Sequence, residues 1–365
     1  MSSLQRCLHT IWERKGLTGK LGWLVLAPLS YGFSLIARGR NQLYSRRWLS
    51  VHRAAPKVIS VGNLTVGGTG KTPVVLWLAH ALRARGYNVG ILSRGYKGAN
   101  THAPVIVAAE SQILATPEEA GDEPIMLARS FPGVIVACRN RVAGLQLARE
   151  QFGVDILILD DGFQHRRLGR DIDILLFNSQ NSLSNHWLLP AGPFREPLSA
   201  ARRADVVIIT KGDVVQQGEI PTWLQRVFPY QQSIYSGRLE PVALVSAEQR
   251  QWRELPLTAL SGKRILALAG IADPTPFYHT LQEWDAEVVE VMEFSDHHQY
   301  AQADWQAISA IGQKVDLIVT TEKDLVKLER FPFATGKVVA LRVRMSIDRE
   351  DLFLAEIERR LTNTE

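Results

Sequence analysis

Between Val58 and Arg85 the chain passes from a Val/Ile-rich run through a glycine-crowded loop into a helical pattern. The loop reads Gly62-Asn63-Leu64-Thr65-Val66-Gly67-Gly68-Thr69-Gly70-Lys71-Thr72. Strand, glycine loop and helix in that order form the setting of a phosphate cradle. Glycines let backbone N–H groups converge on phosphate oxygens without Cβ clashes, and the helix N-terminus presents its positive end to an anion. All eleven residues, Gly62 to Thr72, are expected to bind nucleotide. Lys71 would reach the β- and γ-phosphates, and Thr72 would ligate magnesium through its hydroxyl. The spacing departs from G-x-x-x-x-G-K-[ST] at one place, because Thr65 stands where the first glycine belongs. Pro73 suits the first helical turn, where its missing N–H has no intrahelical partner.

Such a cradle needs a sheet behind it, and the rest of the chain supplies one. Short apolar runs recur at Val58–Val61, Val89–Leu92, Val134–Ala137, Ile156–Leu159, Ile172–Phe177 and Val206–Thr210, with helical stretches such as Val74–Arg85 and Arg141–Phe152 between them. Strands buried on both faces and joined by helices predict a mostly parallel sheet. A second set, Ile265–Ala269, Val288–Val291, Leu317–Thr321 and Val338–Val343, follows a less regular stretch punctuated by prolines. The expected fold class is α/β: a P-loop NTPase-type, mostly parallel sheet with helices on both faces, plus a smaller second α/β domain. The expected partition is 1–53 as an N-terminal segment, 54–215 as the P-loop core and 216–365 as the smaller domain, closing over the nucleotide cleft.

The N-terminal segment differs in charge from everything after it. Residues 1–57 carry ten Lys or Arg and a single acid, Glu13, whereas the remainder has 32 bases against 36 acids. Inside that basic end, Leu21–Ala37 contains no charge at all. At 17 residues, interrupted by Pro28 and flanked by bases on both sides, it is short for a bilayer span. It reads as an anchor lying in the plane of an anionic inner leaflet; a buried helix and a true span are the competing readings. A nucleic-acid-binding ATPase would show aromatics interleaved on a basic face, and none are found, so no nucleic acid partner is expected. No protein partner is evident either. Two cysteines, Cys7 and Cys138, make neither a disulfide framework nor a zinc site.

Three further segments end strands or open helices with chemistry-bearing residues. Ile156-Leu157-Ile158-Leu159-Asp160-Asp161 has the form of a Walker-B strand, whose acids hold magnesium. Gly121-Asp122-Glu123-Pro124 and Asp296-His297-His298 hold a carboxylate and an imidazole that could take an acceptor proton; taken alone they read as a helix start and as ordinary surface histidines. Thr210-Lys211-Gly212-Asp213 has the spacing of a guanine-reading element, which keeps open a GTPase acting as a switch or metallochaperone.

Together with Ser93-Arg94-Gly95-Tyr96, Gly162-Phe163-Gln164-His165, Leu189-Pro190-Ala191-Gly192-Pro193-Phe194-Arg195-Glu196 and Thr321-Glu322-Lys323-Asp324, these segments resemble the tetraacyldisaccharide 4'-kinases of lipid A biosynthesis. The resemblance runs from the apolar segment to about Leu328, and that family also has threonine where a standard P-loop begins with glycine. It implies ATP- and magnesium-dependent phosphorylation of the 4'-hydroxyl of an acylated glucosamine disaccharide 1-phosphate at the cytoplasmic face of a bacterial inner membrane. It implies Asp122 as proton acceptor acting with His297, Lys71 as the third catalytic residue, and Thr72, Asp160 and Asp161 around the metal. It leaves His298 outside the pattern, and leaves Arg94, Tyr96, Gln164 and His165 as contacts to sugar or phosphate without individual roles.

Overall fold

The structure is a computed structural model that describes residues 3–363 apart from 54, 97, 100–102, 180–184, 211–221, 229–232, 249–250, 272, 297 and 333–335. Helices α1 (Ser3–Trp12) and α2 (Gly16–Ser45) come first. The first half of the sheet follows: β1 (Lys57–Asn63), α3 (Lys71–Ala84), β2 (Val89–Ser93), β3 (Val105–Ala109), β4 (Gln112–Ile113), α4 (Pro117–Ala120), α5 (Asp122–Ser130), β5 (Val134–Ala137), α6 (Arg141–Phe152), β6 (Ile156–Asp160), β7 (Ile172–Asn178) and β8 (Val206–Thr210). The second half holds α7 (Thr222–Val227), β9 (Ile234–Glu248), β10 (Gln251–Leu255), β11 (Arg264–Ala269), α8 (Thr275–Glu283), β12 (Glu287–Glu293), α9 (Gln302–Gly312), β13 (Leu317–Thr321), α10 (Glu322–Leu328), β14 (Val338–Ile347) and α11 (Glu350–Thr362).

All ten apolar runs read from the sequence are strands, and they fall in one mixed sheet of order β12-β11-β13-β14-β9-β8-β7-β1-β6-β2-β5-β3-β4, with β10 paired to β9. β1 sits near its centre, parallel to β6 on one side and β7 on the other. The two halves are joined through β9, which pairs parallel with β8 and antiparallel with β14. β4, β9 and β10 escape the sequence pattern because they pair antiparallel at an edge or bridge the halves, where one continuous apolar run is not needed; β3 is an apolar run, Val-Ile-Val-Ala-Ala, that the sequence reading did not include.

The two-residue period of a strand sends alternate side chains of β1 to opposite faces. Ile59 and Val61 meet α3, α5 and α11 on one face, and Val58 meets α6 on the other. The second half has its own pair of cores, one around Leu244, Ile265 and Val319, the other around Leu266, Tyr300 and Trp305. The last helix does not stay with that half. Phe353 of α11 packs edge-on against Trp77 of α3 at 5.2 Å and lies in the first core, so the end of the chain closes on its beginning.

The uncharged run Leu21–Ala37 lies within α2, a 30-residue helix that keeps Pro28 inside it. By length and composition α2 is long and apolar enough to cross a membrane. Its polarity is inverted relative to a helix of a soluble core. Gly19, Ser30 and Ala37 face the protein, while Leu17, Leu21, Leu24, Val25, Leu29, Leu35 and Ile36 face outward. The reading of this run as a buried core helix is therefore corrected: small residues allow close packing on one side, and the large apolar side chains gain nothing from the protein.

Candidate active site

The phosphate loop is built by close backbone approach. A Cβ on Gly62 would lie 2.6 Å from Cβ of Phe163, so only glycine lets β1 run beside the turn that follows β6. Gly67 and Gly70 take positive φ values of 108° and 77°, which turn successive N–H groups toward one side. Side-chain positions on Gly67 and Gly68 would meet nothing within 4 Å, so the loop opens onto free space. Its remaining residues are tied down from behind. Asn63 Nδ2 donates to Thr69 Oγ1 at 2.9 Å, Val66 N donates to Pro193 O at 2.9 Å, and Thr65 bridges to Phe194. Thr210 Oγ1 lies 3.0 Å from Thr69 O, which joins the end of β8 to the loop. Leu64 is buried in the core beneath, and Lys71 and Thr72 open α3 at its positive end.

Asp160 and Asp161, at the end of β6, have opposite surroundings. Asp160 is buried, and its pKa is pushed up to about 7 by burial first and then by the charges of Glu123 and Asp161. Asp161 adopts φ 55°, a left-handed conformation that asparagine and aspartate tolerate better than most residues. Burial would raise its pKa too, but hydrogen bonds from Arg195 and the charge of Lys71 outweigh that and hold the carboxyl well below the usual range. The Arg195 contact is bidentate, Nη1 to Oδ2 at 2.8 Å and Nη2 to Oδ1 at 2.9 Å, and the same guanidinium also reaches Asn63. Lys71 Nζ lies 3.6 Å from Asp161 and 3.4 Å from Asn63 Oδ1.

Arg141 was not singled out in the sequence, although a base in the first turn of a helix opposes the dipole and was a usable signal. It is 3% exposed and donates to the carbonyls of Leu92, Cys138 and Asp160 at 3.2, 3.3 and 2.8 Å. Burial lowers its pKa to about 10, which leaves it charged beneath the two aspartates. His165 is held neutral, near 4, by burial and then by the charges of Arg141 and Arg94. Gln164 Nε2 donates to Asn63 O at 2.8 Å, so this residue supports the loop rather than standing free. Arg94 and Tyr96 are exposed at the end of β2.

From the other half of the molecule a polar cluster reaches the start of α5. Asp122 is 6% exposed at the first position of that helix, where the dipole favours a negative charge. Gln299 Nε2 approaches Asp122 Oδ2 at 3.5 Å. Lys323 lies 2.9 Å from Asp296 and 3.7 Å from Glu123, joining three of the sequence motifs in one ion cluster. His297 itself lies outside the described residues, but Asp296 and Gln299 on either side of it face the Asp122–Glu123 end of α5. His298 points elsewhere. It pairs with Asp304 at 2.9 Å and packs tilted against Phe294 and edge-on to Tyr300, a structural role.

Among the described residues no three His, Cys, Asp or Glu side chains gather to cage a metal ion. Magnesium in a phosphate cradle does not require such a cage, since it keeps waters and uses phosphate oxygens beside one or two protein ligands. The donor set fits that pattern. Asp160 is a buried carboxylate crowded by two other acids, which a divalent cation would relieve, and Thr72 supplies a hydroxyl in the first turn of α3.

A model of the family tetraacyldisaccharide-1-P 4'-kinase matches residues 22–362. The chain belongs to that family. Relatives within it include the tetraacyldisaccharide 4'-kinase of Syntrophus aciditrophicus, 41% identical over 90% of both chains, and that of Desulfatibacillum aliphaticivorans, 37% identical over 97% of both. The fold resembles the crystal structure described as the "apo" form of LpxK from Aquifex aeolicus in complex with ATP. The TM-score is 0.75 at 33% identity, covering 92% of this chain and 98% of that one. A family match over nearly the whole chain overturns the alternative of a GTPase switch or metallochaperone. The Lys211-Gly212-Asp213 part of its supporting motif lies outside the described residues, and Thr210 serves to brace the phosphate loop.

Proposed function

We propose that this kinase transfers the γ-phosphoryl group of ATP to the 4'-hydroxyl of an acylated glucosamine disaccharide 1-phosphate, a lipid A precursor, presented at the cytoplasmic face of the inner membrane. The observation that carries the reading is the proximity of two charge systems. On one side the phosphate loop offers Lys71 and glycines with open space around them, and Asp160 feels the charge of Lys71. On the other, Asp122, approached by Gln299, supplies a carboxylate, and Asp296 and Gln299 flank His297. Glu123 acts electrostatically on Asp160, so the two systems are neighbours.

In this reading Asp122 accepts the proton of the acceptor hydroxyl, with His297 stabilising the charge, and residues 216–365 close over the cleft to exclude water. Thr72 and Asp160 would hold magnesium, which supplies neutralisation of phosphate charge when bound. Asp161 keeps Lys71 and Arg195 in place through its two ion pairs. The outward apolar face of α2, with bases around it, docks on anionic lipid and brings the site to the acceptor. The test offers labelled ATP, or labelled GTP, with the acylated disaccharide monophosphate in mixed micelles. A labelled lipid formed from ATP supports the reading; nucleotide hydrolysis without a labelled lipid refutes it.

A further inference from the structure

The loop Asn185–Glu196 lies between the N-terminal helices and the phosphate loop and is bonded to both. On the helix side, Trp12 Nε1 donates to Pro190 O at 2.9 Å, and Asn185 Nδ2 donates to Trp12 O at 2.7 Å. Ser30 donates to Leu188 O, and Trp187 stands edge-on to Trp23 with ring centroids 5.0 Å apart. On the phosphate side, Val66 N donates to Pro193 O and Arg195 N donates to Leu64 O at 2.7 Å. The Arg195 guanidinium grips Asp161 and Asn63.

Glu196 joins the two sides. It is 0% exposed, and a carboxylate buried so deeply persists only when each oxygen is paired. Oε1 accepts from Arg40 Nη2 at 2.8 Å, while Oε2 accepts from Arg203 Nη1 at 2.8 Å and Asn41 Nδ2 at 3.2 Å. Arg40 and Asn41 belong to α2, the helix whose opposite face is apolar and exposed. The peptide that carries Glu196 also carries Arg195, so a shift of one moves the other.

We propose that Glu196 is a positioning residue through which the seating of α2 sets the geometry of the phosphate site. With α2 in place, Arg40 and Asn41 complete the shell of Glu196 and hold the 185–196 loop, and Arg195 stays on Asp161 and Asn63. With α2 displaced, Glu196 retains only Arg203. The loop then relaxes and Arg195 leaves Asp161, so that Lys71 loses its fixed neighbour. Misplacement of a catalytic group by about 1 Å costs roughly 10²-fold in rate. The rate is thereby tied to the seating of α2 on the 185–196 loop. This rests on the phosphotransferase reading above.

The experiment uses the full chain as wild type, Arg40→Ala, Arg40→Lys, Glu196→Gln, Arg195→Ala and the pair Arg40→Ala/Arg195→Ala. Arg40→Ala leaves Oε1 of the buried Glu196 without its arginine and is expected to lower stability, so rates are compared below the unfolding midpoint that thermal unfolding gives for each variant. Rates are measured with saturating acylated disaccharide monophosphate in mixed micelles, and binding by co-sedimentation with vesicles of phosphatidylglycerol and phosphatidylethanolamine. In Arg40→Ala, kcat is expected to fall about tenfold, within the loss such misplacement causes, while lipid KM and co-sedimentation stay within about twofold. Arg40→Lys should recover most of the rate, and Glu196→Gln should behave like Arg40→Ala. Against an Arg195→Ala background, Arg40→Ala should cost less than about twofold, since residues acting as a unit are non-additive. A wild-type kcat in Arg40→Ala, or an undiminished further loss in the double variant, overturns the coupling. No transfer by the wild type refutes the substrate reading itself, which is a separate result.

Discussion

On the proposed mechanism, replacing Asp122 by asparagine removes the proton acceptor and little else. The side chain keeps its size, remains at the first position of α5, and can still receive the 3.5 Å contact from Gln299. The fold loses one favourable charge at a helix N-terminus, worth about 0.3–1 kcal/mol and up to ~2 in a partly buried setting. It also loses the repulsion between Asp122 and the adjacent Glu123, which offsets part of that. Stability should therefore change by less than about 1 kcal/mol, and any large loss of activity cannot be put down to unfolding. Loss of a general base lowers the rate by about 10²–10⁴-fold, which corresponds to about 2.7–5.5 kcal/mol of barrier. The assay is single-turnover transfer to the acylated disaccharide, with the ATP dissociation constant measured separately by titration. The expected result is a slow enzyme with ordinary nucleotide affinity. If ATP·Mg affinity falls in proportion to the rate, Asp122 belongs to the metal shell and the base must be sought at His297 or Asp161.

Lys71→Ala should abolish transfer and weaken ATP binding, and Thr72→Ala should lose turnover that high magnesium partly restores; near-normal rates in both would remove the loop from the mechanism. Leu24→Glu with Leu29→Glu alters only the outward face of α2. Each buried leucine contributes about 1.5–3 kcal/mol to lipid docking, so flotation with anionic vesicles should be lost while the unfolding midpoint stays put. Retained flotation would place the membrane contact elsewhere. Glu356 predicts a pH signature of stability. Burial raises its pKa, but hydrogen bonds from Ser233, Tyr235 and Arg360 outweigh burial and hold it below the ordinary 4.5. A depressed carboxyl stabilises the fold above its unfolded pKa and loses that contribution as pH falls. Glu356→Gln should thus cost about 1–2 kcal/mol at pH 7, with the gap to wild type closing below pH 4.5 in thermal unfolding; an equal gap at pH 4 and pH 7 would sink the assignment.

Much of this protein is written locally. Most of the ten apolar runs specified strands because strands buried on both faces must be apolar throughout, a demand visible without a partner; the largely exposed edge strand β12 was legible from its valines alone. The phosphate loop was legible because Gly67 and Gly70 answer backbone requirements of the loop itself, whereas the need for glycine at 62 comes from Phe163 after β6. The acids Asp160 and Asp161 were legible as the end of a buried strand. The separation of the two was not. Adjacent residues in sequence became a buried, crowded acid and an ion-paired one because Glu123, Lys71 and Arg195 arrive from three other segments.

Tertiary structure alone decided the rest. Strands β9 and β10 pair antiparallel where the halves meet, so their side chains follow neighbours rather than a period of their own. Arg141 and Glu196 are buried charges whose partners include carbonyls of Leu92 and Asp160 and the α2 residues Arg40 and Asn41, and a charged residue read in isolation looks like surface. In α2 the apolar content was plain from the sequence, but its direction was not: only packing showed that Ser30 and Ala37 face the protein while the leucines face out. The division has one physical cause. Backbone conformation and burial on both faces constrain residues a few positions apart, whereas charge pairing and the choice of which face to bury depend on segments more than 100 residues away, such as Arg40 and Glu196.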